Sequence, residues 1–160
     1  LLDRGRDDEV VAVVAHELGH VVAKDVLYGT LTGAFGAAAV VFGLGILLQI
    51  PAVLAFAHIS GSSDPAVAGI LVIVANWVSF IASPLSNGIS RRIERQADQH
   101  SFELIDDPAT VVRMHQALAV HNLATLDPPV LRYVWFASHP TSPERIKAAR
   151  FHADSHSSGG

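Results

Sequence analysis

The sequence predicts an all-α protein: a membrane helical hairpin flanked by helices that carry the polar chemistry. Two long uncharged runs and the lack of any strand-like pattern predict it. No Asp, Glu, Lys or Arg occurs over the 38 residues 26–63, nor over the 26 residues 65–90. Each run exceeds the roughly 20 apolar residues needed to cross a hydrocarbon core of about 30 Å. No segment alternates apolar and polar residues as a half-buried strand does.

The elements follow in order. Asp7 and Asp8 place negative charge where a helix start favours it, and residues 9–24 continue as helix, with Gly19 the only helix-weakening residue among them. One span is expected over 31–57, kinked at Pro51, and a second over 66–83, ended by Pro84. The polar connection from His58 to Asp64 is the turn between them. A soluble two-helix core would show a polar stripe, and neither run has one. Gly29 and Gly33, then Gly36, Gly43 and Gly45, form a small-residue pattern that lets helices approach closely. Beyond the hairpin come an amphipathic helix over 90–105, a helix over about 109–124, and a last helix to about 151, opened by Ser142 as N-cap and Pro143 at the first helical position. Residues 1–154 are read as one domain and 155–160 as a disordered tail.

Composition agrees with a membrane setting. Half the residues are hydrophobic and 16% are charged, with a mean hydropathy of +0.37. A net charge of −4 with 11 scattered Lys and Arg excludes a nucleic-acid surface. Arg4, Arg6, Lys24, Arg91, Arg92 and Arg95 all flank the hairpin, whereas the turn carries no Lys or Arg, so the flanks are expected to face the cytoplasm. The absence of cysteine excludes disulfides and thiolate metal sites, which leaves metal chemistry to carboxylates and the nine histidines.

The sharpest motif is His16-Glu17-Leu18-Gly19-His20. Four-residue spacing puts both imidazoles on one helix face, as two zinc ligands require. Glu17 lies on the same side, able to reach a water at the metal without being a ligand. A catalytic zinc takes a third protein ligand and keeps one position open. The hairpin leaves after His20 and returns the chain before Arg91, so the next helix starts at the same membrane face. Glu94 sits on that helix and is the expected third ligand. Asp98, one turn further, fits a carboxylate that accepts the free N–H of a ligand histidine. His100 points elsewhere, Glu103 reads as solvated, and Asp25 lies too near His20 to complete a tetrahedron. His115, His121, His152, His156 and His58 read as ordinary structural or surface residues, and Trp77, Tyr133 and Trp135 as membrane or core aromatics.

The first motif, the block from Asn87 through Arg91, Arg92, Glu94 and Arg95 to Asp98, and the block Ser138-His139-Pro140-Thr141 with Glu144-Arg145-Ile146 together resemble the membrane zinc metallopeptidases that include the heat-shock protease HtpX and the CAAX prenyl proteases. The resemblance runs from about residue 8 to 149. It implies that His16, His20 and Glu94 bind one Zn2+, that Glu17 is the general base and Asp98 a residue behind the ligands, and that His139 and Arg145 face substrate. It also implies further N-terminal spans that complete the chamber, so that activity is expected of the longer protein. On chemical grounds His139 and Arg145 are candidates to stabilise the oxyanion of peptide hydrolysis. The expected protein is an integral, multi-pass membrane metalloendopeptidase with its active site on the cytoplasmic side. Its expected partners are the bilayer and peptide or protein substrates, membrane-bound or lipidated ones included. The alternative expectation is a non-catalytic membrane scaffold with a structural zinc site, which would need a fourth protein donor.

Overall fold

The computed structural model describes residues 7–61, 64–105 and 107–157. Expectations that involve Arg4, Arg6, Ser62, Ser63 and residues 158–160 lie outside these, as do the side chains of Asp7, Asp8 and His156. All regular structure among the described residues is helical: α1 (Asp7–Ala23), α2 (Asp25–Leu47), α3 (Pro51–Phe56), α4 (Ala66–Leu104), α5 (Pro108–His121), α6 (Val130–Phe136) and α7 (Ser142–Ser157). Two compact units result, one of Leu1–Val26 with Pro84–Gly160 and one of Leu27–Ser83.

The first unit has a small core. Ala12 of α1, Phe102 of α4, Val111 and Met114 of α5 and Ala149 of α7 are buried together, with Val13, Ile105, Val112 and Leu118 packed against them. Its helices start where local chemistry dictates. Asp107 caps α5, accepting from Ala109 N at 3.0 Å and Thr110 Oγ1 at 2.9 Å, with Pro108 in the first turn. At α7 the N-cap is Thr141 rather than the expected Ser142. Thr141 N donates to Glu144 Oε2 at 2.7 Å and Glu144 N donates to Thr141 Oγ1 at 3.4 Å, a reciprocal capping box that Ser142 lacks a partner to make. α7 then continues through Ser155 to Ser157, past the expected end near residue 151.

Helix α6 was not expected. Its last carbonyls are held by α4: Asn87 Nδ2 donates to Trp135 O at 2.5 Å, and Arg91 Nη1 donates to Tyr133 O at 3.1 Å and Ala137 O at 2.5 Å. The Arg91 guanidinium also stacks 4.6 Å from the Tyr133 ring centroid. These contacts fix the segment that leads into His139.

In the second unit the first apolar run is not a single span over 31–57. It is helical as α2, breaks at residues 48–50, and resumes as α3. The physical reason is Pro51: the residue before a proline is pushed out of the α region, and Ile50 is extended at φ −87, ψ 112, so the proline starts a new helix instead of kinking the old one. Pro84 does not end the helix, because it lies inside α4. An interior proline costs a helix about 3 kcal/mol or more but is tolerated in apolar spans, and the expected helix over 90–105 is the continuation of α4. At about 1.5 Å per residue its uncharged stretch over 66–83 is about 27 Å long, near the thickness of a hydrocarbon core.

Both α2 and α4 are long and apolar enough to cross a membrane, with 0% and 6% of their most apolar windows buried. A core helix of a soluble protein would be mostly buried. Phe35 and Phe42 are each 74% exposed, which suits lipid contact better than water. Gly29, Gly33, Gly36, Gly43 and Gly45 face open space, so no described helix of this chain uses the close approach they permit.

Candidate metal centre

Helix α1 presents His16 and His20, and α4 presents Glu94, so that one ligand atom of each lies within 4.8 Å of the others. His16 Nε2 and His20 Nε2 are 3.2 Å apart. Glu94 Oε2 is 3.5 Å from His16 Nε2, and Glu94 Oε1 is 3.8 Å from His20 Nε2. Ligand atoms bound tetrahedrally at about 2.05 Å stand about 3.3 Å from one another. The three groups therefore fit one zinc-sized ion with little rearrangement, and two imidazoles with a carboxylate are a donor set that zinc accepts.

The ring nitrogens that face away from this triangle meet carboxylates. His16 Nδ1 lies 3.0 Å from Asp98 Oδ1, an ion-pair distance at an angle outside hydrogen-bond geometry. His20 Nδ1 lies 2.8 Å from Asp25 Oδ2 and is hydrogen-bonded to it. Asp98 itself is 3% exposed and is held from α7 by Arg145, whose Nε donates to Asp98 Oδ2 at 2.7 Å while its Nη2 donates to Glu94 Oε2 at 2.7 Å. Arg145 thus joins the two carboxylates of α4. His139 Nε2 sits 3.2 Å from Glu94 Oε1 on the open side, with its side chain 62% exposed. Glu17 is exposed on α1, and among the described residues no ion pair engages it.

The electrostatics follow from this packing. Burial pulls the His16 imidazole toward neutrality, but contacts with Asp98 and Glu94 outweigh it and lift its pKa to about 9. Burial favours the neutral forms of Glu94 and Asp98, yet the His16 contact and the Arg145 charge hold both below the usual carboxylate range. Behind Asp98, His115 is 2% exposed, with its Nε2 3.8 Å from Asp98 Oδ1. Burial, reinforced by the Arg145 charge, pushes it down to about 4, so it is neutral at pH 7.

Two parts of the site escape a reading of spacing alone. Asp25 was set aside as a ligand, and its contact with the back of His20 depends on the break between α1 and α2 at Lys24, whose φ is 56. His115, read as an ordinary helix residue, lies buried beside Asp98. The four-residue step from Glu94 puts Asp98 on the same helix face; no comparable spacing links His115 to α4.

Among the described residues the fold is all-helical, and its His-His-Glu cluster joins the HExxH motif of α1 to Glu94 of α4, a combination compatible with a metallopeptidase. The model of peptidase family M48 matches residues 1–153, and the chain belongs to that family. It is 33% identical over 150 residues to the uncharacterized metalloprotease YhfN of Bacillus subtilis (strain 168), covering 92% of this chain and 35% of that protein. It is 30% identical over 167 residues to protease HtpX of Pseudomonas putida (strain W619), covering 94% and 55%. A CAAX prenyl protease 1 homolog of Taenia solium is 27% identical over 154 residues, covering 90% and 31%. The crystal structure of S. mikatae Ste24p superposes with a TM-score of 0.75 at 21% identity, over 93% of this chain and 37% of that one, a likeness of fold. The chain thus spans from about a third to just over half of these relatives' lengths. Family membership and the metalloprotease names of its relatives support a protease.

Proposed function

We propose that this chain carries the catalytic centre of an integral-membrane zinc metalloendopeptidase. The observation that carries the reading is the convergence of His16 Nε2 and His20 Nε2, 3.2 Å apart, on the Glu94 carboxylate, whose Oε2 is 3.5 Å from the first and whose Oε1 is 3.8 Å from the second. These three residues hold one Zn2+. The ion, when bound, supplies Lewis acidity that polarises the scissile carbonyl and makes a water a nucleophile near neutral pH.

The chain's own residues do the rest. Glu17 is the general base: its exposed carboxylate takes the proton from the attacking water and passes it to the departing amine nitrogen. His139, exposed beside Glu94, donates from Nε2 to the developing oxyanion. Asp98 orients His16. Arg145, with two donor nitrogens taken up by Glu94 and Asp98, acts through those carboxylates and positions them.

The substrates are peptides or proteins that reach the membrane surface, lipidated or membrane-bound ones included. The basic residues Lys24, Arg91, Arg92 and Arg95 flank the apolar helices and put the centre on the cytoplasmic side. Residues 1–154 form the peptidase domain. The scaffold alternative needs a fourth protein donor, and the cluster found among the described residues has three.

Glu17→Ala in the full-length protein tests the mechanism. It is expected to keep one zinc per chain by elemental analysis and to lose about 10²–10⁴-fold in peptidase rate. A variant that cleaves as fast as the parent removes the assignment.

A further inference from the structure

The back of His20 is built as carefully as its front. Its Nδ1 is 2.8 Å from Asp25 Oδ2, and the two side chains are only 20% and 15% exposed. On an unbroken helix, residues five apart point about 140° away from each other and do not meet. They meet here because α1 ends at Ala23, Lys24 adopts a left-handed φ of 56, and α2 starts at Asp25. Lys24 N closes the last turn on Val21 O at 3.1 Å. A left-handed lysine is an uncommon conformation, and this one turns Asp25 back under the preceding helix.

We propose that Asp25 is the positioning residue of His20, a counterpart on the α1–α2 corner to Asp98 behind His16. This rests on the reading of His16, His20 and Glu94 as metal ligands. An imidazole ligates through one nitrogen when the other carries the proton, and a carboxylate at 2.8 Å from Nδ1 holds that proton there. Asp25 thereby keeps the Nε2 lone pair of His20 directed at His16 and Glu94 and prevents the ring from flipping. Each of the two histidines then has its own carboxylate, delivered by a different element: Asp98 from α4 and Asp25 from the corner.

The rival role for Asp25 is simple stabilisation of the N-terminus of α2, where its negative charge is favourable. The two differ in what they move. The experiment measures zinc dissociation constants by chelator competition on the full-length protein for the parent, Asp25→Ala, Asp25→Asn and His20→Ala, with the visible spectrum of the cobalt-substituted proteins as a second readout. Asp25→Ala is expected to weaken zinc binding 10–100-fold and to shift the cobalt bands. Asp25→Asn, whose amide oxygen still accepts from Nδ1–H, is expected to lose less than Asp25→Ala and to retain the parental cobalt spectrum. If both Asp25 variants bind zinc within twofold of the parent while only their melting temperatures fall, Asp25 is a helix-end residue and the proposal is overturned. If His20→Ala also binds zinc like the parent, the ligand reading itself has failed, and the two failures are told apart by that control.

Discussion

A Cβ placed on Gly19 would lie 2.9 Å from Ala97 Cα and 3.2 Å from Ala97 O. Gly19 is the residue before His20 in the α1 motif, and Ala97 is the residue before Asp98 on α4. The two helices therefore meet backbone against backbone beside the proposed ligands His20 and Glu94.

Gly19→Ala is expected to destabilise the protein by about 1–3 kcal/mol, because the obstruction is backbone and cannot swing aside. The sign is diagnostic, since Ala in a helix interior normally gains about 1 kcal/mol over Gly. Gly88→Ala is the internal control: its added Cβ meets only the Arg91 guanidinium at 3.8 Å, so it should be neutral or stabilising. Thermal unfolding of both variants in detergent, together with their zinc content, checks the pair. Equal effects would mean that the helix crossing does not constrain the centre.

Arg145 bridges Glu94 and Asp98, whose side chains are 12% and 3% exposed. Arg145→Ala leaves two carboxylates close together with little solvent and is expected to cost about 3 kcal/mol in zinc-free protein. Arg145→Lys should recover only part of this, since one ammonium cannot reproduce a fork with two separate donors. Bound zinc takes up the Glu94 charge, so the rise in melting temperature on adding zinc should be larger in Arg145→Ala than in the parent. An equal or smaller rise would show that Arg145 does not share Glu94 with the metal.

The pH dependence of zinc-free protein follows from two histidines shifted in opposite directions. His16 is raised to about 9 in the fold, so its contribution is fully present below its unfolded value near 6.5 and is lost as pH rises toward 9. His115 is lowered to about 4, so its contribution is present above 6.5 and is lost as pH falls toward 4. Stability in chelator should peak near pH 6.5, with each limb sloping by at most about 1.4 kcal/mol per pH unit. His16→Gln should flatten the alkaline limb and His115→Gln the acid limb. Because a protonated His16 cannot ligate, zinc affinity of the parent should climb as pH rises toward 9. Melting curves and chelator titrations from pH 4 to 9 measure all three.

Much of the architecture can be read from residue spacing. The four-residue step from His16 to His20 requires only a helix, and the step from Glu94 to Asp98 requires the same. Two uncharged runs between them predict that the chain returns, and the structure brings Glu94 to both imidazoles. What escapes spacing are the places where a helix does something its composition does not announce. Lys24 is neither Gly nor Asn, so no residue type signals the left-handed corner that brings Asp25 to His20. Pro51 and Pro84 look alike in sequence, yet one starts a helix and the other rides inside one. Helix α6 is short, and its fasteners, Asn87 and Arg91, lie more than 40 residues away.

The capping box at Thr141 and Glu144 has a consequence for the third block. It fixes the angular phase of α7, and Arg145 is the very next residue after Glu144. One residue inserted after the cap would rotate the guanidinium by about 100° and carry it off both carboxylates. The identities at positions 142 and 143 can therefore drift more freely than their number, so the interval from Thr141 to Arg145 behaves as a fixed-length spacer.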